Sequence, residues 1–590
     1  MPPLRVTTAI AKFFERAGTE VFFGYVGHGN WAMLDSLANR TRLRGVRARC
    51  EDHAVHMADC YWRARRRPPL PVVCVTGGPG AMNIPGALAE AFYSNSALVV
   101  LVGAGPSQWF DRGGIQESYR YGPEEWIQVV KPLCKKALLV HRPDTALEMV
   151  VRACKEAVSG RPGPVVVQIP FDIQNTEIDV REVPGPEGWM DFHRPAPDPA
   201  GIARAADLLL RAQRPLLHVS TGIANAGAWD ALRALAEAAG IPVTTTFVGK
   251  GAFPEDHPLY VGIPGRFGDE HGCRAAEACD VLLAVGARFT DLTTAAWTLY
   301  DIPSRTRLIH VDIDPGEIGR TYPAEVGLVA DARLALEALT DALRARGCQP
   351  RRTGAWLAEI EAWRAEWREK VRPLREADTA PIHYGRLYHE AWQAVREVDP
   401  GTSVLFDTGQ TLCYAPSFFR ASSRQIHTNN GHFIRMGWSV PGLIGAKLAN
   451  PGHPAIAFVG DGSFMMTGTA VATAVEYGLA AVWVVLNNRS LQFERRMEKF
   501  YGTETFCDYK IERTGELWNP DFLKFAESMG ARGMKVRAPG EVRSALREAL
   551  RADGPVVVDC DIDIAAEVYN PIPFAYTADF HSRGLAKPPF

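Results

Sequence analysis

Long apolar runs, paired cysteines and an excess of basic residues are all missing from this chain of 590 residues. No apolar stretch approaches the ~18 residues that a membrane-spanning helix requires. The 11 cysteines are odd in number and scattered without a CxxC pair, which argues against a disulfide framework or a zinc knuckle. A formal net charge of -2 provides no general attraction to nucleic acid or to anionic membranes. We therefore expect a cytoplasmic protein with no nucleic-acid or membrane partner.

What the chain does contain is an alternation of short apolar runs, bounded by glycine or proline, with longer helical patterns. This alternation is typical of parallel sheets that are covered by helices. Two stretches rich in proline, glycine or polar residues divide the chain. We predict an α/β protein with three doubly wound parallel-sheet domains, at 1–182, 198–345 and 375–564. The remaining segment, 565–590, is predicted to be either a lid over the active site or an arm on a neighbouring subunit.

The most informative stretch places Gly-Asp-Gly after one apolar run of the third domain and Asn-Asn after the next. Asp461 follows IAFVG, and Asn488 follows AVWVVL. Since open α/β sheets bind ligands at the carboxyl ends of their strands, we expect both side chains at one site. A carboxylate, an amide oxygen and a loop carbonyl suit Mg²⁺, which is usually shared with phosphate groups. A helix predicted to begin near Phe464 would direct its amides there, and Gly462 would let a ligand approach the backbone. The spacing predicts a site for a metal-bound diphosphate.

This motif resembles the cofactor motif of the thiamine diphosphate (ThDP) enzymes of the acetohydroxyacid synthase and pyruvate decarboxylase superfamily. The resemblance implies that Asp461, Asn488 and the backbone oxygen of Ser490 hold Mg²⁺. It implies that the three domains bind the cofactor's pyrimidine, a nucleotide, and the diphosphate, respectively. It also implies a homodimer as the minimum unit, because each active centre of the family combines two chains. A homotetramer is the commoner arrangement among these enzymes.

The family also has a glutamate in its first domain, and the stretch VRARCEDHAVHM places Glu51 at that position. A buried carboxyl group there can hydrogen-bond N1′ of the aminopyrimidine and favour the imino tautomer, which removes the C2 proton of the cofactor. The alternative is an ordinary acidic residue favoured by a helix N-terminus. The resemblance favours the catalytic role.

Further positions match the family's cofactor contacts. The loop from Gly77 to Asn83 resembles the GPGATN loop of the synthases, which packs near the pyrimidine. Asp407 and Gln410 belong to a DxGQ-like stretch whose glutamine reaches the diphosphate. Met436 stands where those enzymes place an apolar side chain between the two cofactor rings. The remaining predicted cofactor contacts are Gly460, Gly462 and Ser463.

Two stretches of the second domain, 286–292 and 310–320, resemble the region that holds FAD in acetohydroxyacid synthases or ADP in oxalyl-CoA decarboxylases. An acidic residue after a strand, such as Asp312, suits a ribose hydroxyl. Arg288 and Asp331 complete the predicted nucleotide contacts. The pattern does not separate FAD from ADP or from an empty site.

Departures from the synthase pattern bear on the reaction. Synthases carry RFDDR, whose last arginine helps to bind a substrate carboxylate, whereas this chain has Leu292 there. After Asn-Asn the chain reads RSLQFERRMEK, which puts Glu494 where synthases present an apolar residue. A glutamate at this place resembles the 2-hydroxyacyl-CoA lyases, in which an acid shuttles a proton; the alternative is a solvated charge. We predict a ThDP- and Mg²⁺-dependent carbon–carbon lyase that reversibly cleaves a 2-hydroxyacyl-CoA to formyl-CoA and an aldehyde or ketone.

Other functions stay open. The first alternative is an acetohydroxyacid synthase-like carboligase or decarboxylase of 2-oxo acids. The second is a hydrolase of cyclic diketones, because the GHGN stretch around His28 resembles that of the ThDP hydrolases, where a histidine can carry protons. A binding protein that keeps ThDP only for structure is the third. Gln116 matches a loop glutamine of the synthases and is predicted to line the same cavity. No CoA motif is visible, so the thioester rests on the resemblance alone.

Overall fold

The computed structural model describes residues 3–117, 122, 124–190, 194–350 and 354–566, apart from the side chains of residues 497, 499 and 500. The described chain forms three six-stranded sheets and one two-stranded sheet. Every strand pair in the three large sheets is parallel. This confirms the predicted α/β class with three doubly wound sheets. Within these residues no helix has the length and apolarity to cross a bilayer.

The first sheet has the spatial order β3-β2-β4-β5-β7-β6, while β1 and β8 pair antiparallel beside it. The strands of this region are β1 (Leu4–Arg5), β2 (Val21–Gly24), β3 (Arg44–Arg47), β4 (Val72–Val75), β5 (Leu98–Ala104), β6 (Lys136–Leu139), β7 (Pro164–Pro170) and β8 (Glu177–Ile178). The helices of this region are α1 (Val6–Arg16), α2 (Trp31–Asn39), α3 (Glu51–Arg65), α4 (Pro79–Met82), α5 (Pro85–Tyr93), α6 (Glu124–Val130), α7 (Ala146–Val158) and α8 (Phe171–Asn175).

The second sheet has the order β11-β10-β9-β12-β13-β14, which is the strand order of dinucleotide-binding folds. Its strands are β9 (Pro215–Val219), β10 (Val243–Thr245), β11 (Tyr260–Gly262), β12 (Val281–Val285), β13 (Arg307–Asp312) and β14 (Val326–Val329). The helices are α9 (Pro199–Arg211), α10 (Thr221–Ala226), α11 (Trp229–Ala239), α12 (Glu270–Ala278), α13 (Asp291–Thr294) and α14 (Ala332–Ala345).

The third sheet follows a long connecting helix, α15 (Ala355–Arg375), and has the order β16-β15-β17-β18-β20-β19. Its strands are β15 (Ser403–Phe406), β16 (Ile426–Thr428), β17 (Ala455–Gly460), β18 (Val482–Asn487), β19 (Arg532–Val536) and β20 (Val556–Asp561). The helices are α16 (Tyr384–Val398), α17 (Thr411–Phe418), α18 (Ser439–Ala449), α19 (Asp461–Thr467), α20 (Val471–Glu476), α21 (Gln492–Tyr501), α22 (Phe522–Ser528) and α23 (Val542–Leu550).

Both faces of each large sheet are buried, which explains why the strands read as continuous apolar runs. Successive residues of β4 alternate between two cores, with Val73 in one and Cys74 in the other. The third sheet alternates in the same way, since Val404 and Leu405 of β15 belong to different cores. Because parallel strands are covered on both sides, they lack a polar face.

The first and third domains pack directly on each other through α3 and α18. A Cβ added at Gly445 of α18 would lie 1.9 Å from the carbonyl oxygen of Met57 in α3, so only glycine permits this approach. Beside the contact, Arg435 Nη2 pairs with Asp52 Oδ2 at 2.6 Å. The two domains therefore share one hydrophobic core instead of being joined by a loose linker.

Candidate functional site

Polar side chains gather where the third sheet changes direction, between β15 and β17. Asp407 follows β15, and Asp461 follows β17. Asn488 follows β18, which is the parallel neighbour of β17, with Gly460 opposite Leu486. All three carboxyl ends lie at one edge, as the sequence predicts, and this is where doubly wound sheets bind ligands.

Asp461 is a buried carboxylate whose hydrogen-bond donors among the described residues are all neutral. Its Oδ1 accepts a hydrogen bond from the amide of Gly462 at 2.7 Å. Its Oδ2 accepts bonds from the amide of Arg489 at 2.6 Å and from Asn519 Nδ2 at 2.8 Å. Burial raises the pKa of Asp461 to about 6, and the groups that oppose this shift are these neutral donors and the backbone of Asn488. A bound cation would supply the missing positive charge.

Asn488 is held in one orientation by two neighbours. Its Nδ2 donates to Tyr384 Oη at 2.8 Å and to Gln492 Oε1 at 2.7 Å. Its Oδ1 accepts only the amide of Ser490 among the described residues, at 2.9 Å, and keeps capacity for a further partner. Sequence reasoning missed Tyr384 and Gln492, because no motif connects them to the asparagine.

The donor set at this edge fits Mg²⁺ better than a transition metal. The predicted set consists of the carboxylate of Asp461, the amide oxygen of Asn488 and the backbone oxygen of Ser490, all of which are hard oxygen ligands. The described residues contain no group of three histidine, cysteine, aspartate or glutamate side chains that could hold a metal ion. A site that is completed by phosphate oxygens does not require such a group.

The loop before α18 is organised by Asp407. This buried carboxylate accepts hydrogen bonds from the amides of Gly437 and Ser439, each at 3.1 Å. A Cβ at Gly437 would lie 2.8 Å from the carbonyl oxygen of Ser463, so the loop touches α19, the helix after β17. The structure thus brings Gly437, which follows the predicted contact Met436 in sequence, against Ser463. Asp407 acts on the protein backbone here, and its predicted contact with the cofactor stays a prediction.

Gln410 is a buried side chain at this edge whose polar atoms lack hydrogen-bond partners in the described part of the chain. It is 6% exposed, and neither its Oε1 nor its Nε2 has a hydrogen-bond partner among the described residues. Leaving both atoms unpaired would cost stability, so the position suits a polar ligand such as a diphosphate.

The helix after β17 differs from the prediction. It begins at Asp461 instead of near Phe464, because Gly460 already serves as its N-cap. A Cβ at Gly462 would lie 2.4 Å from Tyr509 Oη. The chain's own tyrosine therefore requires this glycine, whether or not a ligand approaches.

A second polar group lies at the carboxyl edge of the first sheet. Glu51 is the first residue of α3, is 7% exposed, and accepts a hydrogen bond from Asn83 Nδ2 at 2.9 Å. A Cβ at Gly80 would lie 2.8 Å from Glu51 Oε1, and one at Gly77 would lie 2.8 Å from the carbonyl oxygen of Gly103. Within the glycine-rich loop, Gly80 therefore packs directly on the carboxyl group, while Gly77 packs on the end of β5.

The GHGN loop and Gln116 belong to the same group. The amide of Gly29 donates to Thr76 Oγ1 at 2.9 Å, and that oxygen lies 3.5 Å from Gln116 Oε1. The ring of His28 stacks on Phe171 at 6.1 Å between centroids. The structure brings the predicted residues of the first domain together, while their catalytic roles stay predictions.

A cavity of about 320 Å³ lies at the central domain's own change of direction, between β9 and β12, and is also lined by residues of the first and third domains, such as Arg66 and Leu412. Glycines allow the strand ends to meet, since a Cβ at Gly222 would lie 2.4 Å from Gly286 Cα. The cavity is lined by the three predicted nucleotide contacts, Arg288, Asp312 and Asp331.

Each of these three residues is also shaped by the protein around it. Arg288 donates to the carbonyl oxygen of Tyr93 at 2.7 Å, and burial lowers its pKa to about 10. Burial raises the pKa of Asp312 to about 6. Asp331 caps α14 and pairs with Arg194 at 2.8 Å. Asp331 therefore has a structural role that the sequence did not reveal.

Glu494, on which the lyase prediction depends, is not enclosed by the protein as Glu51 and Asp461 are. Glu494 is exposed in the first turn of α21. Its neighbour Phe493 meets the ring of Phe267 from the central domain, with 5.9 Å between centroids. Of the predicted lid or arm, residues 567–590 lie outside the described residues.

Models of three related domains match successive parts of the chain. The N-terminal TPP binding domain of thiamine pyrophosphate enzymes matches residues 4–121, the central domain of these enzymes matches 202–339, and their C-terminal TPP binding domain matches 407–560. Together with the site geometry, these matches show that the chain belongs to the superfamily of ThDP-dependent enzymes.

Curated relatives are similar over almost the whole chain. The probable acetolactate synthase large subunit of Methanocaldococcus jannaschii is 33% identical, over 94% of this chain and 92% of the relative. The acetolactate synthase large subunit of Parasynechococcus marenigrum is 33% identical, over 96% and 88%. That of Corynebacterium glutamicum is 31% identical, over 96% and 88%. These relatives favour the synthase-like alternative, and none of the three supports the predicted 2-hydroxyacyl-CoA lyase.

Proposed function

We propose that this enzyme is a ThDP- and Mg²⁺-dependent carboligase of the acetolactate synthase type, which acts on 2-oxo acids. The observation that carries the proposal is the similarity to synthase large subunits, which extends over most of this chain and most of each relative. The polar residues at the carboxyl edges of the first and third sheets support it. The pyrimidine of ThDP requires a carboxyl group that holds a proton, and the diphosphate requires a cation site.

The proposed roles follow from the hydrogen bonds at each edge. Bound ThDP would supply the carbanion chemistry that breaks and forms carbon–carbon bonds. Asp461, Asn488 and the backbone oxygen of Ser490 would hold Mg²⁺, and Gln410 would bond the diphosphate. Glu51, oriented by Asn83, would hold a proton at N1′ of the pyrimidine. The remaining predicted contacts, His28, Gln116 and Met436, would line the space around the reacting atoms.

The substrate assay separates this proposal from the lyase. Purified protein, reconstituted with ThDP and Mg²⁺, is supplied with pyruvate in one reaction and with a short 2-hydroxyacyl-CoA in another. We expect release of CO₂ and formation of a 2-hydroxy-3-oxo acid from pyruvate. Formation of formyl-CoA, with no consumption of any 2-oxo acid, would instead support the lyase and its acid-base Glu494.

A nucleotide in the central cavity is a separate proposal. The strand order and the glycines at the strand ends support an adenine nucleotide, either ADP or FAD. Denaturing the purified protein and recording the absorbance and mass of the released ligand would distinguish the two. The CoA thioester and the cytoplasmic location stay predictions.

We also propose a homodimer in which the first-domain edge of one chain faces the third-domain edge of another. Large apolar side chains near both edges are at least half exposed in the single chain: Val26 at 55%, Trp31 at 53%, Met82 at 50% and Met466 at 60%. Such exposure is typical of interaction surfaces. Light scattering during size-exclusion chromatography would measure the assembly, which we expect to be a dimer or a tetramer.

A further inference from the structure

A buried arginine contacts the position at which the chain lacks the synthase-type arginine. The amide of Arg266 donates to the carbonyl oxygen of Leu292 at 2.7 Å. The preceding Gly265 is equally close, since a Cβ there would lie 2.3 Å from the same oxygen. The loop after β11 and the start of α13 are therefore held together.

The guanidinium of Arg266 lacks the partners that a buried cation needs. The residue is 9% exposed, and its Nε and Nη2 have no hydrogen-bond partner among the residues described. The nearest carboxylate oxygen, Asp291 Oδ2, lies 3.4 Å from Nη2 on a side chain that is 38% exposed. Burial lowers the pKa of Arg266, but a guanidinium keeps its charge at neutral pH.

Other buried cations of the molecule are paired much more closely. Lys250 Nζ lies 2.8 Å from Glu255 Oε1, and Arg63 Nη2 lies 2.6 Å from Asp59 Oδ2. A buried charge with unmade hydrogen bonds is costly, so the unusual state of Arg266 indicates a site that an anion completes.

The surroundings place the loop of this arginine against the third domain. The next residue, Phe267, meets Phe493 of α21, a few residues after the predicted metal ligand Asn488. Leu292 packs on the same apolar cluster as Phe493 and Ile434, which is close in sequence to Met436. The loop of Arg266 thus lies at the junction between the central domain and α21, the helix that follows the predicted metal ligand Asn488.

We propose that Arg266 binds the carboxylate of the 2-oxo acid substrate and so replaces the arginine that is absent at position 292. Nε and Nη2 form one edge of the guanidinium, and this edge can bond both oxygens of a carboxylate at once. The assignment rests on the proposed function and deepens it by naming the residue that selects an acidic substrate.

The test measures binding of oxamate, a non-reacting carboxylate of the shape of pyruvate, to the holoenzyme by titration calorimetry. Arg266→Gln is expected to raise the Kd of oxamate about 10- to 100-fold, as for other hydrogen bonds between charged groups. Arg266→Lys keeps the charge without the planar fork and should give an intermediate Kd. Asp291→Asn removes the competing carboxylate and should lower the Kd.

The matched control is Arg364→Gln, which removes an arginine side chain of similar burial, 12% exposed, that donates to the carbonyl oxygen of Pro258. This control should leave the Kd of oxamate unchanged. Steady-state kinetics with pyruvate should show the Arg266 effect mainly in KM, while the affinity for ThDP stays constant. Thermal unfolding of each variant identifies one that has failed to fold, and Arg266→Lys and Asp291→Asn then carry the test.

The outcomes separate the two proposals. If wild-type enzyme consumes pyruvate, and the Arg266 variants bind oxamate as tightly as wild type, the assignment of Arg266 is wrong and the proposed function stands. If wild-type enzyme consumes no 2-oxo acid but binds oxamate through Arg266, the proposed function is wrong and the carboxylate site stands. If wild-type enzyme neither consumes a 2-oxo acid nor binds oxamate, both the proposed function and the carboxylate site are wrong.

Discussion

The first and third domains share one strand order but present different chemistry at the same edge. In each sheet the strands follow the order second, first, third, fourth, sixth, fifth. The first domain offers Glu51, whose carboxyl group accepts a hydrogen bond from the neutral amide of Asn83 and packs against Gly80. The third offers Asp461, which accepts three hydrogen bonds from neutral donors and has its pKa raised by burial. The comparison teaches that topology selects the location of a site, while a few side chains select its ligand.

The largest effect is expected from Asp461→Asn. This substitution removes the negative charge that a bound cation would balance at the carboxyl edge of the third sheet. We expect loss of Mg²⁺-dependent ThDP binding, measured by fluorescence titration. Without cofactor, the variant should be as stable as wild type or more stable at pH 8, because the buried charge is gone.

The pH dependence of stability provides a second test of Asp461. Since the folded-state pKa of Asp461 is raised to about 6, cofactor-free wild type should lose stability as the pH rises from the ordinary aspartate pKa through that value. Asp461→Asn should show a smaller loss in thermal unfolding across the same range. The exposed Asp553→Asn should behave as wild type in both measurements, and a similar loss of ThDP binding in it would contradict the assignment.

Glu51→Gln tests the polar edge of the first domain. We expect turnover to fall about 10²- to 10⁴-fold, the range typical of general acid–base groups, while ThDP still binds. Hydrogen–deuterium exchange at C2 of the bound cofactor, followed by NMR, should slow by a similar factor. Glu148→Gln, at an exposed position of α7, is the control. Unchanged exchange in Glu51→Gln would remove this residue from the chemistry.

Gln492→Leu should have a smaller effect that is confined to the third edge. It removes the acceptor that orients the amide of Asn488, so we expect the Kd of Mg²⁺ to rise about 10-fold, as for other residues that orient metal ligands. Tyr384→Phe removes one hydrogen bond of the same network and should weaken Mg²⁺ binding less. Equal Mg²⁺ affinity in Gln492→Leu and wild type would show that the amide needs no such support.

The smallest effect concerns how the two domains are held together. Gly445→Ala would force α18 away from α3, and we expect a loss of about 1–3 kcal/mol in the free energy of unfolding, as for other overpacked sites. Denaturant titration measures the change. Gly452→Ala adds a methyl group where no heavy atom of the described residues lies within 4 Å, apart from the glycine and its chain neighbours, and it should leave stability nearly unchanged. Equal stability of the two variants would show that the helix contact adjusts freely.

Local patterns predicted some features well, and long-range contacts decided the others. The three sheets and the shared edge of Asp461 and Asn488 follow from apolar runs, turn residues and spacing. The start of α19 was misplaced, because Gly460 caps the helix before the predicted residue. The lyase prediction depends on Glu494, which is exposed in the described chain, whereas the relatives favour the synthase-like alternative. The domain boundaries and the role of each site residue stay predictions.

By itself the sequence determined the class of fold, the order of the domains and the polar residues at the strand ends, because strand and turn preferences act over a few neighbouring residues. Only the tertiary structure decided that Tyr384 and Gln492 orient Asn488, and that Arg266, whose Nε and Nη2 make no hydrogen bond among the described residues, lies in a loop held against Leu292. These contacts depend on residues that are separated along the chain, and burial and hydrogen bonding between such residues exist only after the sheets have packed.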